Sequence, residues 1–126
     1  MTPRTGSSDG SSRQLRSGDA TICRELRVAD RAAARMRGLL GTRELAAGSG
    51  LWITPCSSIH MLFMRYAIDA VFVDADLQIV RIHHQVRPWR FARGGRRARS
   101  VFELPAGTAA RHGLQVGDAL SVTAPS

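Results

Sequence analysis

The segment Ile68-Asp69-Ala70-Val71-Phe72-Val73-Asp74-Ala75-Asp76-Leu77-Gln78-Ile79-Val80-Arg81-Ile82-His83 reads as two strands around a turn. Its first half is β-branched and aromatic, a composition that favours a strand. With a period of two, Ala70 and Phe72 share one face, and Asp69, Val71 and Val73 share the other. Asp74-Ala75-Asp76 supplies turn residues, and Leu77 to His83 forms the returning strand. In that strand Val80 and Ile82 alternate with Ile79, Arg81 and His83. A hairpin at the centre of the chain points to an antiparallel sheet.

Further elements follow on either side. Ile22, Leu26 and Val28 suit a first strand that begins near Ala20. Asp30 reads as the N-cap of a helix, followed by Arg31-Ala32-Ala33-Ala34-Arg35-Met36-Arg37 and stopped by Gly38 and Gly41. Leu51-Trp52-Ile53 is a strand ended by Thr54-Pro55, and Met61 to Met64 forms another. After the hairpin, residues 87–99 form a loop or strongly bent hairpin around Gly94-Gly95. Ser100 to Leu104 is a strand, Thr108 to His112 a short helix, and Ala119 to Val122 a last strand. Five or six short strands in hairpin order, with one or two short helices, predict an α+β fold. Its sheet is mainly antiparallel and curled into a partial barrel. A doubly wound nucleotide-binding fold would need a helix between each pair of strands.

The Ser/Gly/Arg-rich residues 1–19 hold too little apolar surface to offset their ordering entropy and are expected to be a disordered tail. Residues 20–124 are expected to form one compact domain. A 126-residue chain that is 44% hydrophobic can bury a core of that size. No run approaches the ~18 apolar residues of a membrane span, and the N-terminus has no apolar signal region. A cytoplasmic location is the expectation. Cys23 and Cys56 are too few for a disulfide scaffold and read as reduced thiols. The net charge is +8, and all 18 basic residues are arginine. With neither Lys nor Asn present, GC-rich coding explains part of that arginine, and contact with an anionic partner is the functional alternative.

Four segments appear in a recognisable order. They are Arg35-Met36-Arg37-Gly38-Leu39-Leu40-Gly41; the run from Gly50 through Pro55-Cys56-Ser57-Ser58-Ile59-His60-Met61 to Arg65; Ile68 to Asp74; and Phe102-Glu103-Leu104-Pro105-Ala106-Gly107 with the turn from Gly113 to Asp118. Over residues 20–124 the chain resembles the bacterial and archaeal family called domain of unknown function 192. The resemblance implies a compact β-rich fold. It brings no reaction, substrate or cofactor.

Arg35, Arg37, Arg65, Asp69, Asp74 and Glu103 all fall in those segments. Asp69 interrupts an apolar strand, and a carboxylate there is costly unless it is paired. An arginine from residues 35–37, or Arg65, is the expected partner. The cluster is then either an ion pair that fixes helix to sheet or the floor of a polar site. Such a site would use Arg35, Arg37, His60, Met64, Arg65, Asp69 and Glu103 to bind a small molecule or a protein. A small binding or accessory module is therefore the expected function. One alternative is electrostatic nucleic-acid contact through Arg87, Trp89, Arg90, Arg93, Arg96 and Arg97, with Phe91 among them. Another is a small enzyme with Cys56 as nucleophile, His60 as base and Asp69 as orienting group. Cys56, His60 and Met64 are soft ligands suited to copper or zinc, with His83 and His84 as further candidates. Along an extended strand they lie too far apart to share one ion, so no metal and no cofactor is expected.

Overall fold

A computed structural model describes residues 13–30, 45–60 and 66–124. The described strands are β1 (Arg13–Ser17), β2 (Ala20–Ala29), β3 (Ser49–Ile53), β4 (Ser58–His60), β5 (Ile68–Val73), β6 (Ile79–Val86), β7 (Phe91–Arg93), β8 (Ser100–Pro105) and β9 (Ser121–Thr123), with a short helix α1 (Thr108–Arg111) between β8 and β9. Seven strands form one sheet in the order β6-β5-β8-β3-β2-β1-β9, while β4 and β7 pair separately. The sheet curls into a half-barrel. Its two ends approach where Gln78 bridges Ala119, and the Ile79 amide donates to the Asp118 carbonyl at 2.8 Å.

The central hairpin forms, and its first strand β5 alternates as predicted. Every residue of β5 is buried. Val71 and Val73 enter one apolar cluster with Leu15, Leu26, Phe102 and Leu104, inside the curl. Ala70 and Phe72 enter a second on the opposite face, with Leu51, Ile53 and Val101. Ile59 of β4 and Ala92 of β7 cover that second face. Full burial of each large aliphatic or aromatic side chain here contributes about 1.5–3 kcal/mol. The hairpin turn is held by Asp74, whose Oδ1 accepts the amides of Asp76 at 2.9 Å and Gln78 at 3.0 Å.

Two expectations need correction, and two stand with added detail. Residues 13–17, expected in a disordered tail, are strand β1. Leu15 is fully buried there, and Gly18 at φ 60 makes the tight turn into β2. One apolar residue among polar neighbours is a faint signal, so the strand is easily missed. The sheet is mainly antiparallel, as expected, with β2 and β3 as a parallel pair. Two parallel neighbours need a long connection, and residues 30–48 separate β2 from β3 along the chain. In β6 the alternation slips at a register shift opposite Phe72 and Val73. There Ile79 and Ile82 both join the first cluster while Val80 joins the second. Finally, the fold is mostly sheet with α1 as the one described helix, roughly consistent with the expected α+β class and its one or two short helices. The helix expected after Asp30 and the strand expected at Met61 to Met64 lie outside the described residues. No described helix is long and apolar enough to cross a membrane.

Candidate functional site

Asp69 is 0% exposed and projects to the inside of the curl, on the same face as Val71 and Val73. Its charge is met by main chain. Oδ1 accepts the Gln85 amide at 2.9 Å. Oδ2 accepts the amides of Gly107 at 3.1 Å and Ala109 at 2.9 Å. These are charge-assisted bonds, stronger than neutral ones. Helix α1 starts at Gly107, which has no side chain with which to cap it. Asp69 supplies the missing acceptor from a neighbouring strand. The arginine partner expected for Asp69 is thus replaced by three amides, and Arg35, Arg37 and Arg65 lie outside the described residues.

Glu103 is 7% exposed and stands in register with Leu51 and Ala70. On β8, Phe102 and Leu104 enter the first cluster and Val101 the second. Alternation therefore turns Glu103 to the second face, away from Asp69. The two carboxylates expected in one site lie on opposite sides of the sheet. Met64 lies outside the described residues, and His60 is placed opposite Phe91 by the β4–β7 register.

Cys56 is buried in the second cluster, and its Sγ donates to the Ser58 carbonyl at 2.9 Å. Asp69, committed on the other face, does not orient a base for it. His83 lies edge-on to Phe72, with ring centroids 5.8 Å apart. Its Nε2 is 2.7 Å from the Arg93 carbonyl oxygen, an acceptor, so Nε2 carries the proton. No three of the described His, Cys, Asp and Glu residues gather closely enough to hold a metal ion. Cys23 lies in the first cluster, where burial pushes its thiol up to about 11. The Glu25 amide offsets part of that rise, and the Glu25 charge adds to it.

The arginine-rich stretch is built on β7 and the turns at either end. Ala92 points inward, while Phe91 and Arg93 are exposed. The Arg93 guanidinium lies over the Phe91 ring, 5.1 Å from its centroid. Gly94 permits the chain to press on the second cluster, since a Cβ there would overlap the Phe72 ring and the Ala98 methyl. Arg97 reaches Asp74 at 3.9 Å, and Arg99 donates to the Arg96 carbonyl at 3.0 Å. Arg87, Arg90 and Arg96 are exposed and make no ion pair or side-chain hydrogen bond among the described residues. No Asp or Glu occurs between Asp76 and Glu103. Sequence reasoning found these residue types. It missed the amides of Gln85, Gly107 and Ala109, for which the one available signal was a helix start with no capping side chain.

A UPF0127 protein of Thermococcus sibiricus is 33% identical over 100 residues, spanning 74% of this chain and 62% of that protein. A UPF0127 protein of Pyrococcus furiosus is 38% identical over 64 residues, 51% of this chain and 54% of that one. The chain thus spans less than two thirds of the length of either relative. Among solved structures, a Sinorhizobium meliloti protein described as a "putative transcription regulator" superposes with a TM-score of 0.76 at 23% identity, over 93% of this chain and 98% of that one. A Novosphingobium aromaticivorans protein of unknown function gives 0.72 at 21% identity, over 86% and 82%. Likeness at these identities is one of fold. The family model DUF192, described as "Uncharacterized ACR", matches residues 13–122. The chain belongs to this family, whose function is unknown.

Proposed function

We propose that the protein is a small binding or accessory module that holds an anionic partner against the arginine-rich face of residues 87–97. What carries this is the set of exposed arginines there, Arg87, Arg90 and Arg96, with no carboxylate partner among the described residues. Placing cations side by side in a stretch without acidic residues raises self-repulsion, which an anionic partner relieves. The test is retention on immobilised heparin, with elution by a salt gradient. The wild-type chain is expected to elute late, and the Arg87→Gln/Arg90→Gln/Arg96→Gln chain clearly earlier. Co-elution of the two chains overturns the assignment.

A ligand site around Glu103 is the second reading. It is favoured by a carboxylate held in the middle of an apolar sheet face, beside Leu51 and Ala70. Arg35, Arg37, His60, Met64 and Arg65 are its proposed companions. Native mass spectrometry of gently purified protein is expected to find a bound small molecule that Glu103→Gln loses. A bare wild-type chain rejects the site.

A further inference from the structure

Among the described residues other than glycine, Leu77, Gln85 and Trp89 take positive φ, a conformation uncommon for a residue with a side chain. Gln85, at 52°, sits in a bulge of β6. Ile68 pairs with Val86 and Ala70 with His83, so two steps along β5 answer three along β6. An extra residue reverses the faces of those beyond it. Ile82 packs against the first cluster, and plain alternation would send Val86, four residues on, to the same side. Val86 is buried in the second cluster instead. Asp69 lies opposite the bulge, between Ile68 and Ala70, and its Oδ1 accepts the Gln85 amide at 2.9 Å.

Val86, Ala92 and Ala98 all belong to the second cluster and seat the arginine-rich stretch on that face. Arg87 follows Val86 directly, and its carbonyl accepts the Arg90 amide at 3.2 Å. The direction in which the chain leaves β6 is thereby passed to Arg87 and, through the turn, to Arg90. We propose that Asp69 is a positioning residue for the arginine-rich face: by holding Gln85 in the bulge it fixes Val86 in the second cluster and sets where Arg87 and Arg90 are presented. The inference rests on the anionic-partner function proposed above. Bulges commonly re-aim side chains beside functional sites. This one holds a residue in a sparsely populated conformation, and the bond to Asp69 offsets that cost. The carboxylate is itself anchored, because Oδ2 accepts the Gly107 and Ala109 amides.

The experiment uses the full chain and reads heparin affinity together with the nuclear Overhauser contacts of the Val86 methyls. In Asp69→Asn the one side-chain oxygen serves Gly107 and Ala109, which turns the side-chain NH2 onto the Gln85 amide and releases the bulge. Gln85→Val leaves Asp69 in place and acts on the backbone, since a β-branched residue resists positive φ. Gln85 is exposed, so this variant keeps the core and decides the matter if Asp69→Asn does not fold. Each variant is expected to weaken heparin binding by about 2- to 5-fold, the worth of one exposed ion pair. Val86 should lose its contacts to the second cluster. Adding Gln85→Gly to Asp69→Asn should recover part of both losses, because glycine takes positive φ unaided. A purely structural role for Asp69 would give no such rescue. Wild-type heparin affinity in the folded variants overturns the positioning role and leaves the anionic-partner function standing. If the wild-type chain itself does not bind heparin, that function falls, and the positioning role falls with it.

Discussion

Asp69 and Trp89 stand about equally far from what their residue types prefer. Asp69 is a carboxylate at 0% exposure, and Trp89 is an indole at 63% exposure in a turn position that favours glycine. The surroundings account for the first. Three amides from two distant segments converge on Asp69, so its charge helps the half-barrel form. Trp89 instead lies at the surface, in a turn closed by the Arg90 amide and the Arg87 carbonyl at 3.2 Å. One irregularity serves stability. The other stands at the surface, in the stretch proposed to meet an anionic partner. Residues of the two kinds should therefore respond oppositely to substitution.

The largest effect is expected at Asp69. Asp69→Ala leaves three amides without their acceptor, that of Ala109 buried, and should lower unfolding free energy by about 3 kcal/mol or more, measured by urea titration. Asp69→Asn keeps one acceptor oxygen and should lose less. A variant as stable as wild type would erase the contrast with Trp89.

A second interior group gives a smaller, pH-dependent effect. Cys23 is 2% exposed, and the folded chain holds its thiol proton up to about 11 against an ordinary 9.0. Between those values unfolding releases a proton. This contribution to stability is complete below pH 9 and falls as pH rises toward 11, by about 2 kcal/mol. Denaturant midpoints of wild type and Cys23→Ala at pH 8 and 10.5 measure it. The wild-type loss should exceed that of the variant, and parallel losses would show that Cys23 has no part in it.

The smallest effect is expected at Trp89. Trp89→Gly relieves the positive φ and raises unfolded-chain entropy, so stability should stay within about 1 kcal/mol of wild type. A large loss would move Trp89 into the same class as Asp69.

Much of this was legible in the chain. Alternation in Ile68–Val73 placed Asp69, Val71 and Val73 on one face before any fold was known, and burial agrees. The exposed character of Arg87, Trp89, Arg90, Arg93, Arg96 and Arg97 was also readable, since a stretch so rich in guanidinium cannot be interior. Strand β1 was not, because one buried Leu15 among polar neighbours carries no period. Nor was the register slip in β6, which depends on how the strand meets β5.

By itself, the sequence determined that a sheet would form, where its central hairpin turns, and that arginine would crowd one stretch. Side-chain type and a period of two are local properties, readable residue by residue. Only the tertiary structure decided that Asp69 and Glu103 face opposite ways and do not share a site, and what Asp69 binds. Its acceptor role joins residues as many as 40 positions apart through main-chain amides, which every residue type except proline carries alike.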